Sequence, residues 1–69
     1  MKISARNVIK GKITAINVGP VSTEVTVLVA PGIEIVSSIT STSAKNLKLG
    51  DGTDVYAVIK ASSVMIATD

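Results

Sequence analysis

Val8-Ile9-Lys10-Gly11-Lys12-Ile13-Thr14-Ala15-Ile16-Asn17-Val18 and Ser22-Thr23-Glu24-Val25-Thr26-Val27-Leu28-Val29-Ala30, separated by Gly19-Pro20, decide the fold of this chain. In the first run Ile9, Gly11, Ile13 and Ala15 alternate with Lys10, Lys12 and Thr14, the period of two expected of a strand with one buried face. In the second, Val25, Val27 and Val29 alternate with Glu24, Thr26 and Leu28. The Gly-Pro break between them makes the pair a hairpin.

Working outward, Pro31-Gly32 is a turn signal, and Ile33 to Thr40 is a third strand with Ile33, Ile35, Ser37 and Ile39 on one side. Ser41-Thr42-Ser43-Ala44-Lys45-Asn46-Leu47 changes character: hydroxyl residues lead into Ala, Lys and Leu, the pattern of a capped helix of one or two turns. Leu49-Gly50-Asp51-Gly52 ends it. Thr53 to Lys60 is a fourth strand, with Val55, Ala57 and Ile59 on one face. Ser63 to Thr68 is expected to form a last short strand, Val64 and Ile66 opposite Met65. Five strands with a short helix between the third and fourth describe an all-β, small OB-like barrel. An immunoglobulin-type sandwich needs about seven strands and a longer chain. The 69 residues make a single domain, 1–69, without repeat, linker or low-complexity tract.

Composition sharpens this. Hydrophobic residues are 46% of the chain, yet Tyr56 is the one aromatic; the apolar material is Val, Ile, Ala and Leu, which favours strands. A chain this short builds a marginal core, and without Cys or His it has neither disulfides nor zinc to reinforce it. Oligomerisation is the remedy that remains. Leu28, Val36 and Val58 stand on strand faces opposite the barrel interior, where a second subunit would cover them, although scattered surface aliphatics are also ordinary. No apolar run approaches the roughly 18 residues of a membrane span, and Met1 to Asn7 lacks the apolar core of a signal peptide. The expected location is cytoplasmic, with no membrane partner.

Catalysis is not expected. His and Cys are absent, and Glu24, Glu34, Asp51, Asp54 and Asp69 form no pair spaced for acid–base work. Gly50-Asp51-Gly52 lacks the Lys and the following helix of a phosphate-binding loop. Net charge is only +2.

Three polar clusters remain. Ser4-Ala5-Arg6-Asn7 joins a hydroxyl, a guanidinium and an amide, and the guanidinium fork matches oxyanion geometry; taken alone, a solvated chain terminus with a strand-entry Asn is the simpler explanation. Thr40-Ser41-Thr42-Ser43 sits where a helix start would present free N–H groups to an anion, or where one hydroxyl merely caps the helix. Lys60-Ala61-Ser62-Ser63 offers an ammonium and backbone N–H groups, or simply a surface Lys before a turn. Arg6 and Lys60 together suffice to neutralise a dianion. The other groups are donors, a set that favours a fully deprotonated tetrahedral oxyanion over hydrogen phosphate.

Met1-Lys2-Ile3-Ser4-Ala5-Arg6-Asn7 with Lys10-Gly11-Lys12, and Ala57-Val58-Ile59-Lys60-Ala61-Ser62-Ser63-Val64-Met65, resemble the two ends of the molbindins, the small molybdate-binding proteins also called Mop. They also resemble the Mop-like domains of molybdate-responsive regulators and transporter ATPases. The resemblance spans the whole chain. It implies a homohexamer, a trimer of dimers, holding molybdate or tungstate at subunit interfaces for storage or homeostasis, with no organic cofactor. Carried over by position, the main site takes Ser4, Ala5, Arg6, Lys60 and Ala61 from one subunit and Thr40 and Ser43 from its partner. The family's second site, near threefold axes, finds no clear ligands in this sequence. Val8-Ile9 replaces a more polar pair, Ala44-Lys45-Asn46 departs from the usual apolar-acidic pattern, and Ala61, often Ser in the family, is left with only its backbone N–H. The alternative is an OB module for nucleic acid. Such modules use aromatic stacking and a basic groove, which one Tyr and a charge of +2 do not supply; no nucleic-acid partner is expected.

Overall fold

One twelve-residue strand, β1 (Asn7–Val18), is shared between two neighbours and organises the molecule. Its first half pairs with β4 (Asp54–Ile59) and its second half with β2 (Ser22–Ala30), which in turn pairs with β3 (Ile33–Thr40). All pairs are antiparallel, in the order β3-β2-β1-β4. The computed structural model describes all residues, Met1–Asp69.

A strand that changes partner midway must coil, and two local features allow it. At Gly11 the chain passes so close to β2 that a Cβ would lie 2.6 Å from Val27 Cγ1 and 2.7 Å from the Leu28 carbonyl oxygen, so only glycine fits. At Thr14 the ladder slips from Ile13↔Val27 to Ala15↔Thr26, a β-bulge. The alternation expected to run on through Ala15 is therefore corrected: the extra residue reverses the phase, and Ile16, not Ala15, turns to the core. Beside the bulge, Ile13 bonds the turn before β4 through Ile13 N to Thr53 O (2.9 Å) and Gly52 N to Ile13 O (2.8 Å).

The expected alternation otherwise delivers the core. Ile13, Val25 and Val27 are buried and Ile16, Val29, Ile39, Leu49 and Val55 pack against them. Ile33, placed with the inward residues by its spacing, stands exposed at the start of β3. The helix α1 (Ser41–Asn46) seats Ala44 in the core. It ends in a Schellman motif: Leu49 N donates to Ala44 O (3.1 Å) and Lys48 N to Lys45 O (3.0 Å), with Lys48 in the left-handed region at φ 55°.

The fold is an all-β domain with a curled sheet of four strands and one short helix, not five strands. Ser63–Thr68 does not form a strand. The chain makes a 3-10 turn at Ala61–Ser63, and the residues beyond it join none of the sheet's pairings. Val64-Met65-Ile66 pairs with neither edge of the sheet despite its strand propensity, and Met65 and Ile66 are 93% and 86% exposed. The edges β3 and β4 consequently remain open. Between them lies an apolar groove of about 510 Å³, lined by Ile35 and Ile39 from β3, Val55, Ala57 and Ile59 from β4, and Ile13 from the core.

Candidate functional site

The antiparallel register of β1 and β4 brings two of the three polar clusters together. Asn7 is paired with Ile59, and its side-chain Nδ2 donates to the Ile59 carbonyl at 3.3 Å. One step outward on each strand stand Arg6 and Lys60. The pairing thus sets a guanidinium and an ammonium, distant in sequence, at the same end of the sheet.

Around them is a concavity of about 620 Å³ whose lining includes Ser4, Ala5, Arg6, Lys60 and Ala61. All five residues expected from one subunit share it. Lys12–Asp54, at 3.2 Å, is the chain's one ion pair, so neither Arg6 nor Lys60 is held by a carboxylate. No carboxylate lines the concavity. The backbone N–H groups of Ser4, Ala5 and Arg6 make no backbone hydrogen bond, since pairing begins at Asn7. Those of Ala61 and Ser62 open the 3-10 turn and likewise lack an acceptor, the turn being closed by Ser63 N to Lys60 O (2.8 Å) and Val64 N to Ala61 O (3.2 Å). Two cations and a ring of free N–H donors therefore surround a space without acidic side chains. A small dianion is the ligand such a set stabilises. No group of carboxylates gathers as a ligand set for a bare metal ion.

Thr40 and Ser43 lie elsewhere. Thr40 ends β3, at the opposite edge of the sheet from β4, and neither residue lines the concavity of its own chain. Thr40 caps α1: its Oγ1 accepts from Ser43 N at 3.1 Å and donates to Ser43 Oγ at 2.7 Å. The proton on Ser43 Oγ remains free, and both residues are exposed. Of the four consecutive hydroxyls, Ser41 has a purely structural task. Its Oγ donates to Gly19 O at 2.6 Å, which leaves the fully buried Thr23 hydroxyl to donate to Ser41 Oγ at 2.8 Å.

One residue has a role that sequence reasoning missed: Asn7, read as an anion donor, donates to the Ile59 carbonyl and clamps β1 to β4, which only the strand register reveals. Ser62, whose backbone N–H the third polar cluster already offered, lines the concavity beside Ala61.

The TOBE domain family model matches residues 3–66. The chain is 51% identical over 69 residues to the molybdenum transport protein ModE of Herbaspirillum seropedicae, of whose length it spans 26%. It is 41% identical to a probable molybdenum-pterin-binding protein of Haemophilus influenzae, with both chains covered completely. Among solved structures it resembles MopII from Clostridium pasteurianum, with a TM-score of 0.91 and 39% identity over 97% of this chain and 100% of that one. It also resembles the cytoplasmic molybdate-binding protein ModG with molybdate bound, with a TM-score of 0.83 and 46% identity over 88% of this chain and 43% of that one.

Proposed function

Because the chain belongs to the TOBE-domain family, and within it to the small Mop-type proteins, we propose that it binds molybdate as the intact tetrahedral oxyanion. The observation that carries this reading is the convergence of Arg6 and Lys60, both without carboxylate partners, on one concavity rimmed by free N–H donors. Molybdate at neutral pH is a dianion without a proton, so it presents only acceptors to those donors. Tungstate has the same charge and shape and fits equally. Several relatives are named for a molybdenum pterin. The concavity has no aromatic ring to stack a pterin and no side-chain amide or carboxylate to read its edge, which favours the bare oxyanion.

The complete site is intermolecular in this proposal. Ser4, Ala5, Arg6, Lys60 and Ala61 come from one subunit, and a neighbouring copy brings Thr40 and Ser43; the Ser43 hydroxyl proton has no acceptor in its own chain and is available to the anion. Two features support association. Only five residues are buried in the isolated chain, a small core for a stable fold. The apolar groove and the aliphatic tail Val64-Met65-Ile66 both lie open to solvent. The assembly proposed is a homohexamer, a trimer of dimers, that stores or buffers the anion in the cytoplasm without catalysing a reaction. No helix is long and apolar enough to cross a membrane. Nucleic acid is not proposed as a partner: Tyr56 is the one ring available for stacking. Calorimetric titration with molybdate tests the reading, and silence with molybdate alongside tight binding of an oligonucleotide would reverse it.

A further inference from the structure

The turn that follows β4 presents one more side chain to the anion concavity than the ligand set above uses. Ser62 lines it together with Ser4, Arg6 and Lys60. Its hydroxyl makes no hydrogen bond within the chain, and its backbone N–H is one of the two that open the 3-10 turn without an acceptor. The residue before it, Ala61, has no side-chain donor, and the residue after it, Ser63, lies outside the concavity with its N–H bonded to Lys60 O at 2.8 Å. Ser62 is thus the only hydroxyl that the turn offers to the concavity.

From this we infer that Ser62 is a direct anion ligand, contributing its hydroxyl and its N–H, and that it strengthens the hold on the oxyanion where Ala61 contributes backbone alone. The geometry suits the task. A 3-10 turn is tight, and its first N–H groups point out of the turn in the same general direction. A hydroxyl at the second position of such a turn is free to rotate its proton toward an acceptor already engaged by the neighbouring N–H. Hydrogen bonds to a charged acceptor are the stronger class, so loss of this one is large enough to measure.

The inference rests on the oxyanion reading of the same concavity, and five proteins separate the two. Molybdate is titrated calorimetrically into the full chain and its Ser62→Ala, Ser63→Ala and Arg6→Ala forms, with Ser62→Thr as the conservative replacement. Ser62→Ala is expected to weaken binding about tenfold, Ser62→Thr to restore most of it, and Ser63→Ala to leave it unchanged. Unaltered affinity in Ser62→Ala, with binding lost in Arg6→Ala, removes Ser62 from the site and leaves the oxyanion reading standing. Unaltered affinity in both, or no binding by the unmodified chain, overturns both. An equal loss in Ser63→Ala and Ser62→Ala also overturns the inference, because it marks a general disturbance of the turn.

Discussion

Asn7 and Ile59 face each other across β1 and β4, and the amide of Asn7 donates to the Ile59 carbonyl at 3.3 Å. That side-chain bond closes the end of the ladder immediately before Arg6 and Lys60 leave it. The positions of the two cations are therefore set by a neutral residue that need not touch the anion. Asn7→Ala is expected to cost about 1 kcal/mol of stability and to weaken molybdate binding severalfold by letting the strand ends fray. Urea unfolding and calorimetry check the two effects; unchanged affinity would show that Arg6 and Lys60 hold their places without the clamp.

Gly11 is predicted to be intolerant of any side chain. A Cβ there meets the Leu28 carbonyl at 2.7 Å, a backbone atom that cannot step aside, as well as Val27 of the core. Gly11→Ala is expected to destabilise by about 1–3 kcal/mol, read as a lower urea midpoint.

The hydroxyl chain Thr23–Ser41–Gly19 makes an asymmetric prediction. Ser41→Ala leaves both the buried Thr23 hydroxyl and the Gly19 carbonyl without their partner, at a cost of about 1–3 kcal/mol. Thr23→Val removes a donor whose acceptor keeps its other bond, so it should cost distinctly less. Equal losses in thermal or urea unfolding would contradict the assigned donor directions.

Lys48 holds the left-handed position of a Schellman motif, a place glycine fills without strain. Lys48→Gly is expected to raise stability by roughly 0.5 kcal/mol, the relief of strain being partly offset by the greater freedom of glycine in the unfolded chain. Molybdate affinity should not change, because Lys48 is not part of the concavity.

Much of the fold is legible in the sequence because its determinants are local. β2 and β3 are found at Ser22–Ala30 and Ile33–Thr40, the limits that their alternation and bounding Gly and Pro residues predict. The bulge is not legible: Ile13-Thr14-Ala15-Ile16 has apolar residues in both phases, and the slip is decided by bonds from Ile13 to the distant Gly52 and Thr53. Nor is the fate of Val64-Met65-Ile66, since an aliphatic run becomes a strand only where an edge receives it. At the site, residue chemistry identifies Arg6 and Lys60 as cations suited to an oxyanion. Their meeting depends on the Asn7↔Ile59 register, which no spacing in the sequence reveals; the family resemblance joins the clusters there.

The two cations should contribute unequally but indispensably. Lys60→Met keeps the aliphatic stem and removes the charge, leaving a lone guanidinium opposite a dianion. Binding should fall by at least tenfold, corresponding to about 1.4 kcal/mol, with phosphate bound more weakly than molybdate by both forms.

The central claim meets its most direct test in one calorimetric comparison: molybdate titrated into the intact chain and into Arg6→Ala, with the molar mass of each measured in solution. The intact chain should bind tightly, and Arg6→Ala should lose affinity by about a hundredfold or more at unchanged molar mass. Equal affinity in the two proteins would contradict the proposal that Arg6 and Lys60 hold the oxyanion.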